Sequence, residues 1–91
     1  MDHKHHLNNQ IKVVIKLLNS NYINEINSGI LQLLYKRYTD ALEILEKEQD
    51  VHQINIIGGV RAYMDHYSDY ENPLLGEMHK AEKFAQELIY F

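Results

Sequence analysis

INEINSGILQLLYKRYTDALEILEKE, Ile23 to Glu48, is the longest run in the chain with a helical apolar rhythm, and its reading decides the fold. At about 100° per residue, Ile23, Ile26, Ile30, Leu31, Leu33, Leu34, Tyr35, Tyr38, Ala41, Leu42, Ile44 and Leu45 collect in one arc of roughly 200°. A stripe of about 100° is enough for a surface helix. Gln32, Lys36, Thr39, Asp40, Glu43, Glu46 and Lys47 fill the opposite side. A helix apolar over more than half its circumference must be covered from two sides. This predicts a central helix over about 22–48, on which the other segments pack. Arg37 falls inside the apolar arc. Either its stem lies along the core with the guanidinium at the surface, or it forms a shielded ion pair. The competing boundary is a late start at Ser28-Gly29, with Tyr22 to Asn27 as a separate turn.

On the N-terminal side, Leu7, Ile11, Val14, Ile15 and Leu18 follow three-and-four spacing, predicting a first helix over about 3–19. Val13 and Leu17 widen its apolar face to roughly 200° as well. Asn19-Ser20-Asn21 is the expected break, because each side chain can bond local backbone and compete with the helix. On the C-terminal side, Glu46, Glu48 and Asp50 sit at the negative end of the helix dipole, so fraying is expected there.

Asp50-Val51-His52-Gln53 then has the form of a capping arrangement. It predicts a third helix over about 51–67, with Ile54, Ile56, Ile57, Val60, Tyr63, Met64 and Tyr67 on one half. The rival is a short strand, Ile54 to Ile57, stopped by Gly58-Gly59, but no second β-branched run offers it a partner. Asn72-Pro73 is a strong start signal, with Asn as N-cap and Pro at the first helical position. A fourth helix over about 73–90 follows, its face made by Leu74, Leu75, Met78, Ala81, Ala85, Leu88 and Ile89. Four amphipathic helices on short loops predict one domain, 1–91, built as an antiparallel up-and-down all-α bundle.

Composition narrows function by exclusion. A single Pro and four Gly leave little material for the turns of an all-β fold. The net charge of −4 would repel a phosphate backbone, so nucleic acid is not an expected partner. The absence of cysteine rules out disulfides, thiolate metal sites and Cys nucleophiles. Val13-Val14-Ile15 is bracketed by Lys12 and Lys16, and the N-terminus lacks the apolar core of a leader. No membrane partner is expected, and the default placement is cytoplasmic. Plentiful Asn, Ile, Lys and Tyr with scarce Arg and Pro suggest an AT-rich bacterial genome.

Three features bear on function. His3-x-His5-His6 carries imidazoles suited to a transition metal, and His66 lies near Asp65, Asp69 and Glu71. Glu77 and His79, however, are two apart and diverge on a helix, so solvated histidines are the plainer reading. No metal and no cofactor is expected. Next, a continuous third helix would gather Asn55, Gly58, Gly59, Ala62 and His66 opposite its apolar half. Two internal glycines cost about 1 kcal/mol each against alanine. They predict either close approach by another backbone or a kink or late helix start.

Finally, Arg61, Tyr63, Asp65, His66, Tyr67, Asp69, Tyr70, Glu71 and Asn72 form a polar and aromatic cluster. Tyrosine suits protein interfaces, and Arg61 and Asp65 stand one turn apart. No nucleophile is arranged with a base, so an enzyme is not expected. The sequence therefore reads as a small acidic non-catalytic interaction or regulatory module of inhibitor or immunity type. Its expected partner is a protein, and association as a homodimer through Val13 and Leu17 is a further expectation. The interaction surface is Asn55, Gly58, Gly59, Arg61, Ala62, Asp65, His66, Tyr67, Asp69 and Tyr70. The alternative is a small-ligand or metal-binding helical protein using Arg61, Asp65, His66 and Asp69.

Overall fold

The computed structural model describes residues 3–27, 29–67 and 71–90. Its elements are α1 (His3–Asn21), α2 (Gly29–Glu46), a one-turn 3-10 helix (Val51–Gln53), α3 (Gly59–His66) and α4 (Pro73–Tyr90). α1 packs on α2 and α4, and α3 packs on the same two helices from the other side, while α1 and α3, and α2 and α4, stand diagonally across the ring. That is the ring order of a four-helix bundle. Neighbours run antiparallel: Lys12 of α1 reaches Glu46 at the end of α2, and His3 lies beside Glu87 near the end of α4. Gly59, at the start of α3, sits over Met78 and Glu82, whereas Tyr63 nearer its end meets Asn72 before α4. The all-α bundle expected from the sequence is the observed fold.

Its centre differs from expectation. The broadest seam joins α1 to α4, and α2 stands on one flank of the ring. Leu7, Ile11, Val14 and Leu18 are fully buried, as are Leu74, Met78, Ala81 and Ala85 of α4. The arc on α2 is wide because α1 covers one side of it and α3 with the 3-10 turn covers the other. Arg37 is half-buried and enters none of the ion pairs among the described residues.

α1 continues through Asn21, past the expected break at Asn19 to Asn21, and Tyr22 still donates to Leu18 O at 3.1 Å. Tyr22 to Asn27 then form turns, with Glu25 and Ile26 both donating to the Tyr22 carbonyl. α2 opens at Gly29, whose φ of +66° a side chain rarely adopts. The expected start at Tyr22 is therefore wrong and the late start correct; Ser28 itself lies outside the described residues.

The end of α2 carries a cap. Gln49 donates to Ile44 O at 2.8 Å and Glu48 to Leu45 O at 3.4 Å, with Glu48 left-handed at φ +54°. These paired bonds are a C-terminal cap normally completed by glycine.

The third segment departs furthest. Asp50 does cap, accepting from His52 N at 3.0 Å, but only one 3-10 turn follows. Ile54 is extended (φ −64°, ψ 127°), and the chain stays irregular to Gly58. Ile54 and Ile56 are buried with Asn55 exposed between them, the two-residue alternation of extended backbone. Neither the helix from Val51 nor the strand over Ile54 to Ile57 exists. This extended connection needs no ladder partner because it buries its alternate side chains against the helices.

Candidate functional site

Every residue of the expected surface that the structure describes lies on or beside α3, so the site starts with how that helix is held. Gly58 is its N-cap in left-handed conformation (φ +96°), where a side chain would be strained, and it has no side chain to cap with. The missing acceptor comes from α4. Glu82 takes Gly58 N–H on Oε1 at 3.0 Å and Val60 N–H on Oε2 at 2.8 Å. One carboxylate thus satisfies two amides at a helix start, where the dipole favours negative charge. Gly59 is buried; a Cβ there would lie 3.1 Å from Leu34 Cδ2 and 3.3 Å from Met78 Cε. Glycine lets α3 sit down between α2 and α4.

The far end of α3 is held by hydroxyls. Tyr63 is fully buried, and its hydroxyl lies 3.4 Å from that of Tyr22 in the turn after α1. The Asn72 amide donates to both hydroxyls, at 3.0 Å to Tyr63. Its Oδ1 meanwhile accepts Leu74 N–H at 2.8 Å, the N-cap that Asn72-Pro73 predicts. Tyr67 stacks on Tyr63 with ring centroids 4.7 Å apart. Tyr38 of α2 is fully buried, its hydroxyl without a hydrogen-bond partner among the described residues. Burial pushes this hydroxyl's pKa far up, and the Glu82 carboxylate adds to the shift.

The expected surface is therefore divided. Arg61, Asp65 and His66 are exposed on α3 and Tyr67 just past its end, joined by Met64, which the sequence reading had placed on the buried half. Asn55 is exposed on the extended connection, and Gly58 at the N-cap. Ala62 is half-buried, its carbonyl bonded to His66 Nδ1 at 3.0 Å. Gly59 belongs to the interior, which corrects its place in a smooth outer face. Asp69 and Tyr70 lie outside the described residues. No ion pair joins Arg61 to Asp65.

Chemically, the conspicuous polar groups are spent on structure. Glu82 accepts two backbone amides, and Tyr22 and Tyr63 each accept from Asn72. Among the described residues no three or more His, Asp or Glu side chains come together as a metal-holding group. The sequence reading missed the roles of Glu82 and Tyr22, and it placed Tyr38 in the apolar arc without its unpaired hydroxyl. For Glu82 a signal existed: it follows Met78 by one turn and borders Ala81 and Ala85, so its carboxylate sits at the rim of a buried face. Tyr22 carried little, because its role depends on the turn over Tyr22 to Asn27 that only the late-start alternative for the central helix retained.

The fold and this double clamp define an all-α four-helix bundle with a short third helix seated between its second and fourth. The chain belongs to the YeeD family: the family model described as YeeD uncharacterised protein matches residues 2–89. A relative, "Uncharacterized protein YeeD" of Bacillus subtilis (strain 168), is 32% identical over 87 residues, covering 86% of this chain and 84% of that protein. No solved structure matches the chain.

Proposed function

We propose that the protein is a non-catalytic interaction module that binds a protein partner through the outer face of α3. The observation that carries this reading is the exposure of Met64 and Tyr67, 40% and 37%, beside Arg61 and Asp65 on a helix clamped at both ends. Apolar and aromatic area next to charge, on a pre-positioned backbone, is the composition of a binding face. Catalysis is no part of the proposal, since the polar groups nearest α3 are consumed by its clamps. No described helix is long and apolar enough to cross a membrane, and the net charge of −4 disfavours nucleic acid.

Co-purification from the native cell followed by mass spectrometry tests it, with wild type beside the combined variant Arg61→Ala, Met64→Ala, Tyr67→Ala. A protein recovered with wild type and lost with the variant, at unchanged circular dichroism, supports the reading. Equal recovery by both overturns it.

A second copy of the chain is also a proposed partner. Val13 is 40% exposed, and with Leu17, Lys16, Ser20, Pro73 and Glu77 it lines an open groove between α1 and α4. Sedimentation equilibrium at micromolar concentration should show a dimer that Val13→Glu dissociates. A monomer at all concentrations removes self-association.

A further inference from the structure

We propose that α3, with its flanking connections over residues 54–67, is a latched lid that opens locally while α1, α2 and α4 stay folded. Glu82 is its latch and the buried Tyr38 hydroxyl the element that biases it toward opening. Four observations converge on this. First, α3 has eight residues, below the roughly 12 at which an isolated helix begins to hold in water. It persists through its seat rather than through its own backbone bonds.

Second, the seat is removable without dismantling the bundle. The broad apolar seam runs between α1 and α4, with a second between α1 and α2, and α3 touches only the ring's other side. Local opening is drawn from elements with few buried contacts of their own. Within 54–67 the buried residues are Ile54 and Ile56 on the connection and Gly59 and Tyr63 on α3, and these are the contacts that opening gives up.

Third, the bonds fixing α3 are polar and specific. Both Glu82 contacts run to backbone amides of the lid, Gly58 and Val60. Opening returns that carboxylate and those amides to water together. The far-end clamp is likewise polar, through the Tyr63 hydroxyl and Asn72.

Fourth, closing has a standing cost. The Tyr38 hydroxyl lies in the field of Glu82 yet has no hydrogen-bond partner among the described residues. A buried hydroxyl left unpaired loses its water without compensation. When the lid lifts, Tyr38 is rehydrated and Leu34 and Met78 are bared between α2 and α4. Latch and bias therefore act on one equilibrium with opposite sign.

Native-state hydrogen exchange of the full chain, read by mass spectrometry, tests this. In wild type, peptides within 54–67 should exchange faster than the core amides of α1 and α4. Glu82→Ala should speed exchange in 54–67 about tenfold, roughly the effect of losing a strong helix cap. Tyr38→Phe should slow it severalfold, because the hydroxyl no longer gains water on opening. Gln10→Ala, which removes the α1–α4 bonds to the Glu77 carbonyl and carboxylate, should speed exchange in α1 and leave 54–67 unchanged. The proposal is overturned if 54–67 exchanges only as fast as the α1 core. It also fails if Glu82→Ala or Tyr38→Phe leaves 54–67 unaltered, or if Gln10→Ala accelerates both regions alike.

Discussion

Two contacts in this molecule bring helices together by different physics. α1 and α4 pack together along the broadest seam, and Leu7, Ile11, Val14 and Leu18 of the one and Leu74, Met78, Ala81 and Ala85 of the other are all fully buried. Polar contacts there stay at the margins: Gln10 with Glu77 at 2.8 Å, the His6 ring stacked on Phe84 at 5.8 Å, and His3 beside Glu87. At α3 the proportions reverse, with one buried tyrosine, one bare glycine and a set of directed hydrogen bonds. Apolar area gives strength that tolerates imprecise geometry. Directed bonds give position, and each is worth only about 1 kcal/mol net. The first seam decides whether the chain folds, and the second decides where α3 sits.

The largest expected effect breaks the strong side of that contrast. Ile11→Ala should cost about 2–5 kcal/mol, measured by urea denaturation, with helical signal lost in one transition. Partial loss confined to α3 would mean that the seam does not control the fold. Gly59→Leu attacks the other side. Leu34 and Met78 already stand where its Cβ would go, so overpacking should cost about 1–3 kcal/mol despite better helix propensity. A thermal melt that equals wild type would place Gly59 on a free surface after all.

A smaller effect, of opposite sign, is expected at the end of α2. Glu48 holds a left-handed conformation that glycine adopts without strain. Glu48→Gly should therefore raise stability by about 1 kcal/mol, seen as a higher melting temperature. The smallest effect is pH dependence. His52's backbone amide holds the Asp50 carboxyl below its usual range, and Gln10, more than Lys80, does so for Glu77. A carboxyl with a lowered folded-state pKa stabilises above its unfolded pKa and loses that contribution as pH falls. The midpoint should thus decline gently between about pH 5 and pH 3. Gln10→Ala should flatten the decline, and an unchanged slope would remove Glu77 as a contributor.

The contrast also explains what could be read from sequence. Periodicity reports apolar faces, so α1 and α4 stood within two residues of their true bounds, and Asn72 and Asp50 announced their caps. What failed was the segment whose structure is made elsewhere in the chain. Ile54, Ile56 and Ile57 fit a helical half as well as an extended alternation, and only the cover supplied by other helices selects between them. Gly58 and Gly59 were visible as an anomaly, but their partner, Glu82, is a carboxylate more than twenty residues away. Of the residues expected at the interaction surface, Arg61, Asp65, His66 and Tyr67 are exposed and Gly59 is buried, while Met64, placed on the buried half, is exposed as well.

The α1–α4 seam has a consequence for the chain during its synthesis. Gln10 and Glu77 are 67 positions apart, so one side of α1 waits for nearly the last helix to be made. Until then Leu7, Ile11 and their neighbours have α2 on one flank and water on the other. A nascent chain in this condition presents an apolar stripe that chaperones recognise and that other unfinished chains can seize. Closure of so long a loop is entropically costly, and contacts of this separation slow folding. The protein's strongest interface is thus the last to form, and its vulnerability lies in the interval before α4 arrives.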